Sequence, residues 1–137
     1  MSDRDVEVVS RIYEAFAGHR FPEELLDEGF EWTTHPGLPD AGSYRGREAV
    51  RRFFSGWVAG WADVRNQPRE LIDAGERVVA LIHGRFRLTD DSEPFENDYG
   101  HIWTIKSGKA LACRAVELDR ALELAPRPSR SSRSDRA

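Results

Sequence analysis

From Arg77 to Asp119 the chain is written almost entirely in period two. Along RVVALIHGRFRL, Val78, Ala80, Ile82 and Phe86 fall on one side and leave His83, Arg85 and Arg87 on the other. Along FENDYGHIWTIK, Phe95, Tyr99, His101, Trp103 and Ile105 share one side. The polar segment TDDSEP separates these runs, and KSGK turns the second into ALACRAVELD. Strands that follow one another through short turns pair antiparallel. A further strand within VRNQPRELI joins through DAGE, and Pro68 gives it an edge or a bulge. Such a meander has an apolar face that something must cover.

The N-terminal half supplies the cover. REAVRRFFSGWVAGW sets Val50, Phe53, Phe54, Trp57, Val58 and Trp61 at i, i+3, i+4, i+7, i+8 and i+11, the spacing of one helical stripe. Ser2 and Asp5 resemble a capping box, and Val6, Val9, Ile12, Tyr13 and Phe16 continue a first helix to about Gly18. Pro22 suits the first turn of a short second helix, PEELLDEG, stapled by Phe21; Gly29 then releases the chain into the strand FEWTT. Helices first and strands after predict an α+β fold, with helices packed on one face of a curved antiparallel sheet.

The 137 residues suit one domain, placed at 1–124. Residues 125–137, APRPSRSSRSDRA, read as a disordered Arg/Ser/Pro tail. The whole chain has 20 basic and 24 acidic residues; the tail takes four arginines and Asp135, leaving 16 and 23, a net of −7. An acidic body argues against nucleic acid as a partner. No apolar run reaches membrane-spanning length and the start lacks a signal peptide's basic and apolar regions, so no membrane partner is expected. The single cysteine, Cys113, fits a buried apolar position and a reducing cytoplasm. Glycine-rich phosphate loops, serine-nucleophile signatures and Cys–His metal spacings are missing from the sequence, so neither a metal nor a cofactor is expected.

The order of RIYEAF, YRGREAVRRFF, ERVVALIHGRF, HIWTIKSGK and the terminal VELD, over residues 5 to 122, resembles the nuclear transport factor 2-like superfamily and its SnoaL-like, polyketide cyclase-like branch. The resemblance implies a cone-shaped α+β barrel whose three N-terminal helices and curved sheet enclose an apolar pocket. It also implies a homodimer through the sheet and no required cofactor. It does not imply one activity, since such folds include isomerases, cyclases, dehydratases and plain binding proteins.

Within this frame His101 stands in the middle of an aromatic, inward strand face. It is either a core histidine satisfied by a neighbour or a neutral ring that hydrogen-bonds a ligand's oxygen. His35 precedes Pro36, which holds it extended at a strand's end. By order it matches the acid–proline pair that carries the base of ketosteroid isomerases, with imidazole in place of carboxylate; a lip histidine bonded to loop backbone is the other reading. Asp119 falls where epoxide hydrolases of this fold carry an acid, and also suits the N-cap of a closing helix, RALEL. The catalytic candidates are thus His35, His101 and Asp119. Tyr13, Trp32, Phe54, Trp57, Trp61, Tyr99, Trp103 and Glu117 are candidates to line the pocket. The expected ligand is a small, apolar, carbonyl-bearing molecule, and the expected activity is a cofactor-independent lyase, isomerase or cyclase. A non-catalytic binding protein and a dimeric interaction module are the alternatives. A two-residue KSGK turn sets His101 beside Arg114, and a three-residue turn with a bulge sets it beside Cys113.

Overall fold

A computed structural model describes residues 2–18, 20–34, 42–59 and 63–125. The elements run α1 (Ser2–Ala17), a 3-10 turn (Glu23–Leu25), β1 (Leu26–Thr33), β2 (Ser43–Arg45), α2 (Arg47–Ala59), β3 (Asp63–Asp73), β4 (Arg77–Arg87), β5 (Phe95–Lys106), β6 (Lys109–Glu117) and α3 (Leu118–Leu124). The described strands form one sheet in the order β2-β1-β6-β5-β4-β3. The meander β3–β6 is antiparallel throughout, and the register of β3 on β4 shifts between Pro68 and Glu70, the bulge that Pro68 requires on an edge strand.

Three expectations need correction. The sheet is mixed: β1 lies parallel to β6, with Trp32 opposite Cys113. The edge of β6 offers a row of unpaired backbone groups, and a strand far away in sequence can approach it in either direction. The expected second helix is only the 3-10 turn, so two α-helices, not three helices, precede the meander. Leu26 is drawn into β1 opposite Ala110 and is wholly buried there, while the Asp27 carboxylate accepts the Gly29 N–H at 2.9 Å in a local turn. Both compete with helix. The last hairpin matches neither expected register. Ser107 and Gly108 form a two-residue turn at φ 55° and 81°, and Lys106 faces Lys109. A shift between Thr104 and Ile105 then sets His101 opposite Ala115.

Side-chain alternation divides the sheet into two faces. On one, α1 and β1 bury Val9, Ile12, Leu26 and Phe30 against Val78, Ala80, Ile82, Tyr99, Trp103 and Cys113, the principal core. On the other, α3 lays Ala121 against Val79, Ile102 and Val116. Gly100 is what lets α3 come so close: a Cβ built there would stand 2.3 Å from the Ala121 Cβ. α2 adds Val50 to the principal core, and Phe53 stacks on Tyr44 with ring centroids 4.4 Å apart. Arg51 ties α2 to the 3-10 turn, reaching Glu23 at 2.6 Å and covering the Phe21 ring at 4.7 Å. No described helix is long and apolar enough to cross a membrane.

Candidate functional site

Period-two alternation in β5 sends Tyr99, His101 and Trp103 to the α1 face, and each finds a specific partner there. Trp103 is wholly buried, stacks on Phe30, and donates its indole N–H to the Tyr13 Oη at 2.8 Å. Tyr13 comes from the buried stripe of α1, and its Oη lies 2.6 Å from His101 Nδ1. The result is a hydrogen-bonded chain Trp103–Tyr13–His101 inside the principal core. Only 3% of the His101 surface is exposed. The Tyr13 ring lies parallel to the imidazole at 5.9 Å, while Trp32 and Tyr99 present edges at 5.1 and 5.3 Å.

Burial sets the electrostatics. Desolvation holds the Tyr13 phenol well above its usual range, and the same cause raises Tyr99 and the Cys113 thiol. All three groups stay protonated at neutral pH, so their O–H and S–H groups are donors rather than anions. Tyr99 gives its proton to the Asn66 Oδ1 across the sheet, at 2.5 Å. Asn66 was not singled out from the sequence; its signal was slight, an amide two residues before Pro68 in an edge strand. The backbone of β4 makes room for this wall at Gly84, where a Cβ would press on Phe86 and Tyr99.

The remaining candidates are spread differently. Phe54 packs its ring against Trp32 at 4.9 Å, which extends the aromatic cluster onto α2. Glu117 is opposite Tyr99 in register but exposed, at the N-cap of α3 and without a side-chain capping bond. The cap position expected for Asp119 is therefore held by Glu117; Asp119 sits exposed in the first turn of α3, on the sheet face opposite His101. The structure thus brings Tyr13, Trp32, Phe54, Tyr99, His101 and Trp103 together and leaves Asp119 apart. His35, Trp61 and the side chain of Trp57 lie outside the described residues, as does the tail from residue 126. The segment that carries His35 is bracketed by Thr34 and Gly42, joined by backbone and side-chain hydrogen bonds of 2.8–3.2 Å.

The outward residues of β4 also have firm partners. His83 reaches Asp98 at 2.6 Å and Glu96 at 2.8 Å, and Arg85 reaches Glu96 at 3.3 Å, all on the face away from His101. A shallow cavity of about 290 Å³ on that same side is lined by Ala74, Glu76, Arg77, Val79, Ile102 and Leu124. It shares no residue with the His101 cluster. Among the described residues no group of three or more His, Cys, Asp or Glu side chains is arranged to hold a metal.

Comparison with known proteins agrees with this architecture. The SnoaL-like domain family matches residues 9–112. Among solved structures, TerC co-crystallised with polyporic acid superposes with a TM-score of 0.74 at 21% identity, over 88% of this chain and 95% of that one. An NTF2-like protein of unknown function from Burkholderia pseudomallei K96243 gives 0.74 at 25% identity, over 93% and 100%. A SnoaL-like polyketide cyclase, so named as putative, from Jannaschia sp. CCS1 gives 0.71 at 15% identity, over 91% and 92%. No curated protein matches the sequence.

Proposed function

Because the chain belongs to the SnoaL-like domain family, we propose that it holds a small, apolar, carbonyl-bearing molecule against the α1 face of its sheet, with His101 as the central polar contact. The observation that carries this reading is the hydrogen-bonded chain Trp103–Tyr13–His101 beneath an aromatic wall. A buried imidazole oriented by a fixed hydrogen bond and ringed by aromatic edges is the kind of polar group that orients a ligand in an apolar pocket. The co-crystallisation of TerC with polyporic acid supports a small organic ligand for a fold of this shape.

The chemistry proposed is cofactor-independent acid–base catalysis of the lyase, isomerase or cyclase kind. His101 and Tyr99 would steady developing negative charge on the substrate oxygen. His35, on the segment that follows β1, would move the proton. Asp119 is left out of this proposal, since it stands on the other face. Non-catalytic binding is the second reading. It is favoured by the neutrality that burial imposes on Tyr13, Tyr99 and Cys113, which share the principal core with His101's partners. A homodimer through the sheet and a cytoplasmic location belong to the same proposal, and light scattering checks the first.

A thermal-shift screen with polyporic acid and with aromatic polyketide-like, terpene-like and steroid-like compounds tests the reading. A ligand present at about a hundred times its Kd adds roughly 2.7 kcal/mol of stability. The gain should shrink in His101→Ala. Mass spectrometry of the recovered ligand, compared between wild type and His35→Ala, separates turnover from binding. A ligand whose stabilisation ignores His101→Ala would remove the basis of the proposal.

A further inference from the structure

The hydrogen-bond accounting at Tyr13 determines more than a contact. An indole N–H can only donate, so Trp103 uses one acceptor site of the Tyr13 oxygen. The phenol keeps its own proton, because burial holds it in the neutral form. Among the described residues, the acceptor within reach of that proton is His101 Nδ1 at 2.6 Å. If Nδ1 carried a hydrogen instead, two donors would converge on Oη and the phenol proton would point at nothing. An unmade bond of that kind is expensive in a core where Trp103 is wholly buried and Tyr13 nearly so.

We propose that Tyr13, whose oxygen the Trp103 N–H helps to orient, is a positioning residue that fixes His101 as the neutral Nε2–H tautomer, so that what this ring offers through Nε2 is a hydrogen-bond donor rather than a base. This deepens the function proposed above and rests on it only for the ligand. The chemical class follows from the donor: an oxygen that His101 meets through Nε2 must be an acceptor, as in a ketone, enolate or phenolate. A group whose proton must be removed does not suit it. Proton abstraction then has to come from elsewhere in the pocket. The arrangement also opposes the imidazolium, since protonating Nδ1 would break the bond from Tyr13.

Long-range proton–nitrogen NMR of histidine-labelled protein, without ligand, distinguishes the two neutral tautomers and the cation. The wild-type protein at neutral pH should show His101 as Nε2–H alone. In Tyr13→Phe the tautomer ratio should move toward Nδ1–H by about fivefold, the worth of roughly one net hydrogen bond. Trp103→Phe, which leaves the Tyr13–His101 bond in place, should keep Nε2–H as the major form. A wild-type spectrum with Nδ1 protonated, or a Tyr13→Phe ratio equal to wild type, overturns the assignment. Should Tyr13→Phe fail to fold, the wild-type spectrum decides alone. Because no ligand is present, a failed ligand screen leaves this result standing, and the reverse also holds.

Discussion

Replacing Tyr13 by Phe removes one oxygen and strands two groups. The Trp103 indole N–H, wholly buried, loses the acceptor it has at 2.8 Å, and His101 Nδ1 loses its donor at 2.6 Å. Each unsatisfied buried group costs about 1–3 kcal/mol, while removing the phenol's own desolvation returns roughly 1 kcal/mol. The expected loss is about 2–3 kcal/mol, or near 8–12 °C in Tm for a domain of this size. Trp103→Phe alone leaves a void where the indole was and costs about 2 kcal/mol. In the Trp103→Phe background, however, Tyr13→Phe no longer orphans an indole. Its cost there should fall by about 1–2 kcal/mol, so the double variant is more stable than the sum of the single losses predicts. Urea titration of the four proteins followed by far-UV circular dichroism measures this, because the signal does not depend on the tryptophan that is changed. If the two losses add to within about 0.5 kcal/mol, Oη does not bridge these side chains, and the positioning argument fails with it.

Other substitutions probe the rest of the framework. Gly100→Ala places a Cβ 2.3 Å from that of Ala121, so it should cost about 1–3 kcal/mol by lifting α3, and Ala121→Gly in the same chain should recover most of it. A thermally silent Gly100→Ala would mean that α3 is not seated on β5. Ser107 at φ 55° precedes Gly108 at φ 81° in the last hairpin, a turn in which Asn–Gly is preferred. Ser107→Asn should therefore raise the denaturation midpoint, by roughly 0.5 kcal/mol, and a drop would contradict that backbone. Burial raises Cys113, Tyr13 and Tyr99, so the native state keeps protons that the unfolded chain releases in alkali. Stability from this source is intact below the thiol's ordinary value. It falls as pH rises past that value and then past the phenols', at up to about 1.4 kcal/mol per pH unit for each group. Cys113→Ala should delay the onset to the phenol range, and urea midpoints that climb across the thiol range would refute the burial.

Local signals carried most of the meander. Alternation marked β5 and its inward face, and Pro68 marked the irregular edge strand, because each is a property of a few consecutive residues. What escaped depended on distant neighbours. The 3-10 turn looks helical until Leu26 is claimed by β6, and nothing near Leu26 announces Ala110. The register of the last hairpin escapes because a bulge lies beyond the turn: a two-residue turn by itself sets His101 beside Arg114, and the shift at Thr104 moves it to Ala115. His101 and Tyr13 were both visible as candidates, but their bond joins residues 88 apart, a pairing that neither residue's own surroundings specify. Asp119 looked like a strand-end acid because the sequence marks where β6 stops without saying which side of the sheet α3 will cover.

The parallel seam between β1 and β6 also imposes an order on assembly. β1 can complete its pairing only when residues 110–114 are available, after the meander between them has been made. Contacts across so long a stretch must first overcome the entropy of closing the loop, a cost that grows slowly with their reach and slows folding. The bonds from Tyr13 to His101 and Trp103 span 88 and 90 residues and come under the same restriction. On a ribosome, where chains emerge N-terminus first, β2, α2 and β3 can cover part of β1 and α1 early, but the β6 edge of β1 and the Tyr13 partners stay missing until β5 and β6 have been synthesised. The His101 cluster therefore cannot be complete before β5 has been synthesised, and it ties the first element of the chain to one of the last.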